Sequence, residues 1–176
     1  MKSNSIPIIF FLLVFTLSSL TLAQPQIGNK TPGFITSTLD GKRVALKEYW
    51  EEKGTKVIIL SFFATWCSPC IDDLKYLQKI QRLYEGKGLR VICVLTQDMA
   101  KENTVKDFMK KLGVSLPVLL DEYGIIGKRY QITALPANFL IDKEGILQAT
   151  YFGYNETTKR HFEIDLKNQL SKDSEK

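Results

Sequence analysis

The stretch KVIILSFFATWCSPCIDDL, residues 56–74, decides the fold, because an apolar run leads directly into two cysteines and the start of a helix. Residues 56–64 are almost wholly apolar, as expected of a β-strand that is buried on both faces. Apolar residues then recur at helical spacing between residues 68 and 87. The stretch therefore predicts a strand-to-helix junction that carries Cys67 and Cys70.

Three interpretations of this cysteine pair compete. A zinc site needs about four ligands, and the chain offers only one further Cys and one His. A static disulfide across two intervening residues removes little chain entropy and stabilises poorly. At a helix N-terminus, however, the free N–H groups of the first turn lower the pKa of the Cys67 thiol, and Pro69 suits that turn. We therefore interpret the pair as a redox couple.

Size and charge are those of an ordinary globular domain. The chain has 176 residues, enough for one domain with a sizeable core. It is 44% hydrophobic and 24% charged, with 24 Lys and Arg against 19 Asp and Glu. The basic residues are scattered along the sequence, so nucleic-acid binding is not expected.

Residues 1–23 have the layout of a secretory signal peptide. Lys2 is followed by a charge-free apolar run that ends in Thr21-Leu22-Ala23, which puts small residues at positions −3 and −1 of a cleavage site after Ala23. The alternative is a retained membrane anchor over residues 6–22, a length near the lower limit for spanning a bilayer. In either case the domain is expected outside the cytoplasm, periplasmic or secreted across the inner membrane, where disulfides persist.

The remaining sequence predicts an α/β sandwich around a central mixed sheet, because strands alternate with helices and an antiparallel hairpin follows. The domain is expected over residues 24–170, followed by a disordered tail at 171–176. Further predicted elements are an N-terminal β-hairpin within 32–50, a strand at 89–96, a helix from an Asn103 cap to Gly113, a short strand at 117–121, a short helix within 122–130, a hairpin over 138–153 and a helix from Asn155 that buries Phe162, Leu166 and Leu170.

Two segments carry a resemblance to a known family. TWCSPC at residues 65–70 and ALPANFLID at 134–142 resemble the thioredoxin superfamily. The hairpin TLDGKRVAL and the inserted segment at 97–116 resemble its extracytoplasmic branch, the TlpA-like and ResA-like thiol–disulfide oxidoreductases. The resemblance covers residues 28–170. It implies a thioredoxin-like sandwich with an N-terminal β-hairpin and an inserted helix, and neither a cofactor nor a bound metal.

The resemblance also assigns roles to five residues. Cys67 corresponds to the attacking thiol and Cys70 to the resolving thiol. Trp66 packs beside them, and Pro136 corresponds to the cis-proline that faces the cysteine pair. The backbone of Leu135 would then pair with an extended substrate segment, as if a strand were added.

Two positions near the cysteines need separate interpretation. Cytoplasmic thioredoxins carry a buried Asp six residues before the first Cys, and Ser61 occupies that position here. ResA-like proteins carry an acid three residues after the second Cys, and Asp73 matches it. Asp73 either exchanges a proton with the Cys70 thiol or is an exposed first-turn acid that interacts with the helix dipole. Both interpretations are open at this point.

Four other residues receive structural interpretations. Cys93 lies inside an apolar strand and is expected to be a packing residue. His161 is expected on the surface of the last helix, and Met99 and Met109 are expected to fill the core.

The predicted function is that of a protein thiol–disulfide oxidoreductase. No cation lies between the cysteines to stabilise the Cys67 thiolate further, which favours a reductant over a strong oxidant. The expected partners are protein substrates, among them apocytochrome thiols as for ResA-like relatives, and an unidentified electron donor; we expect a monomer. One alternative is a thiol peroxidase, although Ala64 replaces the Thr that such enzymes need. Another is a copper chaperone, although CxxxC spacing and a nearby His are missing.

Overall fold

The computed structural model describes residues 25–172. The predicted signal peptide or anchor at residues 1–23 and the last four residues of the predicted tail lie outside this range. Within the described residues, no helix combines the length and the apolar character needed to cross a membrane.

Strands and helices alternate along the described chain. The N-terminal elements are β1 (Ile35–Ser37), β2 (Arg43–Ala45) and α1 (Leu46–Glu51). The elements that follow are β3 (Val57–Phe63), α2 (Ser68–Tyr84), β4 (Leu89–Thr96), α3 (Glu102–Leu112), β5 (Val118–Asp121), α4 (Ile125–Arg129), β6 (Ala137–Asp142), β7 (Leu147–Phe152) and α5 (Glu156–Ser171).

The main sheet has five strands in the order β5-β4-β3-β6-β7. The central strand β3 pairs parallel with β4 and antiparallel with β6. β4 also pairs parallel with β5, and β6 pairs antiparallel with β7. β1 and β2 form a separate two-stranded antiparallel sheet. The predicted α/β fold with a mixed sheet and an N-terminal hairpin is confirmed.

The core lies on both faces of this sheet. All seven residues of β3 are buried, and because successive side chains alternate between faces, they divide between two clusters. The cluster with Ile59 contains Leu74 of α2 and Phe162 of α5. The cluster with Ile58 contains Leu46 of α1 and Ile126 of α4. The prediction of a strand buried on both faces is therefore confirmed, and α2 covers the same face as α5.

The predicted N-terminal hairpin of two short strands is confirmed. Its second strand ends at Ala45, and α1 begins at Leu46, a helix that the sequence analysis did not predict. The carboxylate of Glu48 accepts a hydrogen bond of 2.7 Å from the backbone N–H of Ala45, which satisfies a free donor at the start of the helix. This local cap, together with the complete burial of Leu46, favours a helix over a longer strand.

Two other helix boundaries were also wrong. α3 begins at Glu102, and the N-cap residue is Lys101, not Asn103. The N–H of Val105 donates to the carbonyl oxygen of Lys101 at 3.1 Å, so helical hydrogen bonding starts before Asn103. α5 extends to Ser171, the first residue of the predicted disordered tail.

The helix ends that carry a clear capping signal were predicted correctly. Gly113 ends α3 in the left-handed conformation, with a φ of 68°. The side-chain oxygen of Asn155 accepts a hydrogen bond of 2.9 Å from the N–H of Thr158 at the start of α5. As predicted, α5 buries Phe162, Leu166 and Leu170.

Candidate active site

The two cysteines lie at the junction of β3 and α2. Cys67 is the N-cap residue of α2, Cys70 lies in its first turn, and a disulfide with an S–S distance of 2.04 Å joins them. Pro69 is in the first turn, where its missing N–H leaves no hydrogen bond unmade. Cys67 is 5% exposed and Cys70 is completely buried. A partner in solution therefore has access to Cys67 before Cys70.

An open groove of about 280 Å³ lies beside Cys67. Its lining includes Trp66, Cys67 and Leu135, but not Cys70. The Leu135–Pro136 peptide bond is cis, as the resemblance implies, and Pro136 itself is buried. The structure thus brings together, at one groove, Cys67 and Leu135, which are 68 positions apart in the sequence.

Asp98 holds the loop that precedes the cysteines. The sequence analysis did not identify this residue as part of the site. Its carboxylate accepts hydrogen bonds from the Thr65 N–H at 2.5 Å, the Thr65 hydroxyl at 2.6 Å and the Ala100 N–H at 2.8 Å. Burial raises the pKa of Asp98, but these hydrogen bonds outweigh that effect and leave the pKa below its usual value. Nearby, the Trp66 indole N–H donates to the Gln97 carbonyl oxygen at 3.0 Å. The only sequence signal was an acid just after a buried strand.

Asp73 is buried between α2 and the sheet, with an exposed fraction of 3%. The alternative of an exposed first-turn acid is therefore wrong. The Asn138 amide nitrogen donates to both carboxylate oxygens, at 3.1 and 3.2 Å, and the Ser61 hydroxyl donates to one of them at 3.4 Å. Burial raises the pKa of Asp73 to about 7, although the hydrogen bonds from Asn138 and Ser61 oppose this shift. Asp73 can therefore change its charge near neutral pH.

Strand pairing explains why these polar groups meet. Ser61 on β3 lies opposite Asn138 on β6 and opposite Cys93 on β4. The three side chains share one face of the sheet, and α2 places Asp73 above them. Asn138 is 4% exposed, and its amide oxygen has no hydrogen-bond partner. The sequence analysis missed Asn138, although an Asn inside the apolar strand ANFLID was a signal.

The remaining predicted residues were mostly placed correctly. Cys93 is completely buried in the core, and burial, followed by the nearby charge of Asp73, raises the pKa of its thiol. His161 is on the exposed side of α5, and Met109 is buried. The prediction for Met99 was wrong, because its side chain is 95% exposed. Met99 lies in the loop between β4 and α3, where no helix or strand periodicity directs it into the core.

A family model described as Redoxin matches residues 26–170 of this chain. The chain belongs to the Redoxin family. The match spans both cysteines, the cis-proline and the polar residues beneath them.

Two relatives of this Redoxin domain are similar along most of its length. The thiol-disulfide oxidoreductase ResA of Bacillus thuringiensis subsp. konkukian (strain 97-27) is 35% identical over 142 residues, which cover 81% of this chain and 78% of the relative. The thioredoxin-like protein YneN of Bacillus subtilis (strain 168) is 30% identical over 141 residues, which cover 80% of each chain.

A solved structure shares this Redoxin fold. The crystal structure assigned to the thiol:disulfide interchange protein DsbE of Chlorobium tepidum superposes with a TM-score of 0.73 at 27% identity, covering 82% of this chain and 98% of that one. The predicted resemblance to ResA-like proteins of the thioredoxin superfamily is confirmed, and with it the class of thiol–disulfide oxidoreductase that acts on protein thiols or disulfides.

Proposed function

We propose that this Redoxin protein reduces disulfides of protein substrates outside the cytoplasm through the Cys67–Cys70 couple. The observation that carries the proposal is the asymmetry of the pair: Cys67 caps α2 and borders an open groove, whereas Cys70 is buried behind it. The reducing direction is supported by Ser68 and Pro69 between the cysteines, because neither residue supplies a cation that would stabilise the Cys67 thiolate further.

The reaction begins from the dithiol form. The Cys67 thiolate attacks one sulfur of the substrate disulfide, so a mixed disulfide forms and the second substrate sulfur leaves as a thiolate. The free N–H groups at the start of α2 favour the thiolate, since the helix dipole is positive there.

The second step releases the substrate. Cys70 transfers its proton to the Asp73 carboxylate, and its sulfur attacks Cys67 and displaces the remaining substrate thiolate. The product is the Cys67–Cys70 disulfide that the structure contains. Asp73 lies three residues after Cys70 on the same helix, a spacing that puts both on one face, and both are buried. A separate electron donor must then reduce the disulfide.

The groove provides the substrate-binding surface. The Leu135 backbone, held beside Cys67 by the cis bond to Pro136, pairs with an extended substrate segment. The Trp66 side chain is 63% exposed and contributes an apolar wall to the same groove. An extended substrate segment that carries a disulfide therefore fits this groove.

A trapping experiment tests the two cysteine roles. Cys70→Ser removes the release step but leaves the helix-opening thiolate, so this variant should accumulate mixed disulfides with its substrates. The matched control, Cys67→Ser, should trap few or none, because the remaining thiol is buried. Both variants are expressed in the native host, quenched with acid and compared on non-reducing gels followed by mass spectrometry.

Two results would contradict the assignment: no adducts with Cys70→Ser that dithiothreitol releases, or equal adducts with Cys67→Ser. The same mass spectra identify the substrates, including any apocytochrome. They also show whether the mature chain begins near Gln24, as cleavage of the predicted signal peptide requires.

A redox titration tests the proposed direction. Equilibration with dithiothreitol or glutathione should give a potential closer to the roughly −270 mV of thioredoxin than to the roughly −120 mV of a strong periplasmic oxidant. A value near the oxidising end would show that the protein forms disulfides in its substrates.

A further inference from the structure

The buried amide of Asn138 is not explained by the fold. Its strand β6 is otherwise apolar between Ala137 and Ile141, and every side chain there is buried. Buried polar groups are nearly always hydrogen-bonded. The amide nitrogen of Asn138 has two acceptors, both on Asp73, whereas its oxygen has no partner. In the structure, therefore, the Asn138 side chain has its donor nitrogen hydrogen-bonded and its acceptor oxygen unpaired.

The two charge states of Asp73 make different demands on their neighbours. A carboxylate only accepts hydrogen bonds, whereas a carboxylic acid carries an O–H that must also donate one. The Asn138 amide nitrogen lies within hydrogen-bond distance of both oxygens of Asp73, an arrangement that suits the carboxylate, because both oxygens then accept. After Asp73 takes up a proton, an acceptor is needed in the same place.

We propose that Asn138 is a positioning residue for the proton that Cys70 gives up: its amide nitrogen holds Asp73 as a carboxylate, and its amide oxygen accepts the hydrogen bond of Asp73 as an acid. Rotation of the planar amide about its last side-chain bond exchanges the two atoms. The inference rests on the proposed role of Asp73 as the proton acceptor of the second step.

The proton and electrons of that step balance. The Cys70 S–H bond breaks, its proton goes to Asp73, and its electron pair forms the bond to Cys67. The bond between Cys67 and the substrate sulfur breaks, and the substrate leaves as a thiolate. Ser61 is a weaker partner for the new acid than Asn138, because its hydroxyl lies at 3.4 Å from the carboxylate.

Other titratable groups surround Asp73, but the described hydrogen bonds to its carboxylate come from Ser61 and Asn138. Burial keeps the Cys93 thiol neutral. The ammonium group of Lys159 lies 5.3 Å from the Tyr76 ring centre and 3.9 Å from the Glu156 carboxylate. The titratable groups around Asp73 are Cys93 on β4, Tyr151 on β7, Tyr154 before α5, Lys159 on α5 and Tyr76 on α2 itself, whereas the neighbouring Asp72 is exposed.

The test follows the pH dependence of the release step. A mixed disulfide between the protein and a model peptide thiol is prepared in a rapid-mixing instrument, and the rate of peptide release is measured from pH 5 to pH 9. The variants are Asn138→Leu, which keeps the branching and the number of heavy side-chain atoms but has no polar atoms, Asp73→Asn and the double variant. Ser61→Ala is the matched control, because it removes the longer of the two contacts.

The decisive measurement is the midpoint pH of the curve of release rate against pH. Asn138→Leu removes the charge-assisted hydrogen bond to the carboxylate and also the weaker, neutral hydrogen bond from the acid, so the midpoint should still rise, by about one pH unit. Ser61→Ala should raise it by less. Asp73→Asn should abolish this titration, and adding Asn138→Leu to it should leave the profile unchanged.

Each outcome decides a separate point. The proposal is overturned if Asn138→Leu slows release equally at every pH. It is also overturned if Asn138→Leu shifts the pH profile of release in the protein that already carries Asp73→Asn. An unchanged profile in Asp73→Asn would instead remove the proposed role of Asp73, and the inference with it. Near-ultraviolet circular dichroism checks folding. If Asn138→Leu does not fold, Asn138→Thr, which suits a strand and keeps a hydroxyl, should shift the midpoint in the same direction by a smaller amount.

Discussion

Two carboxylates flank the same dithiol in opposite environments. Asp98 lies at the end of β4 and is only partly buried, and it holds the loop before Cys67 through hydrogen bonds to Thr65 and Ala100. Asp73 lies beneath the cysteines, fully enclosed, with one amide and one hydroxyl as partners. The first acid has many donors and little burial, and the second has few donors and nearly complete burial.

The difference shows how one active site keeps one acid charged and lets another titrate. Hydrogen bonds to the carboxylate outweigh burial at Asp98, so its pKa is lowered. Burial outweighs the hydrogen bonds at Asp73, so its pKa rises to about 7. A permanent charge suits Asp98, which holds a loop. A pKa near neutrality suits the proton transfer that we propose for Asp73.

The two acids also make the stability of the protein depend on pH in opposite senses. The folded-state pKa of Asp73 is above its unfolded value, so the folded protein binds the extra proton, and this contribution is lost as the pH rises from about 4 to about 7. The folded-state pKa of Asp98 is lowered, so its contribution is present above the unfolded pKa and is lost as the pH falls through the folded pKa.

The largest effect is expected from Asp73→Asn. At pH 8 the wild-type protein buries a charged carboxylate, whereas the variant does not, so the variant should be more stable by up to about 4 kcal/mol, from 1.36 kcal/mol for each pKa unit. At pH 4.5 the folded wild-type protein holds Asp73 in its neutral form, so the gain in the free energy of unfolding should fall to about 1 kcal/mol. Urea denaturation of the oxidised proteins at both pH values measures the difference.

The neighbouring Asp72 is the matched control for this experiment. It is exposed on the same helix, so Asp72→Asn should change the free energy of unfolding by no more than about 0.5 kcal/mol at either pH. If Asp73→Asn raised the free energy of unfolding equally at pH 4.5 and pH 8, removal of a buried charge would not be the cause of the increase.

A smaller effect of opposite sign is expected from Asp98→Ala. The substitution removes the acceptor of three hydrogen bonds from Thr65 and Ala100, so the variant should be less stable by about 2 kcal/mol at pH 7. Urea denaturation of the oxidised protein provides the value. Thr65→Val removes only the hydroxyl donor and should cost about 1 kcal/mol. A loss for Thr65→Val as large as that for Asp98→Ala would mean that the loop depends on the Thr65 side chain rather than on the acid.

The elements with strong local signals were predictable from the sequence. The apolar run of β3, the CxxC pair at the start of α2 and the Asn155 cap each specify their structure through neighbouring residues. The cis bond at Pro136 was also predicted, although through the resemblance to a family and not from spacing. α1 was missed because a helix of six residues shows too few turns for its periodicity to be recognised.

The contacts that complete the site depend on tertiary pairing, which the sequence shows only indirectly. Asn138 and Asp73 are 65 residues apart, and they meet because β6 pairs with β3 beneath α2. Asp98 reaches Thr65 because β4 lies beside β3. The exposure of Met99 likewise follows from a loop path that no periodic pattern describes.

The register of the central sheet has a consequence for folding fidelity. A slip of β6 by one residue would turn Asn138 to the opposite face of the sheet, among the rings of Phe62 and Tyr130. Asp73 would then lose its principal donor, and an amide would be buried in an aromatic cluster. Molecules with a misaligned sheet would be less stable and would also lose the hydrogen bonds that hold Asp73, so the release step that we propose depends on correct alignment of β6.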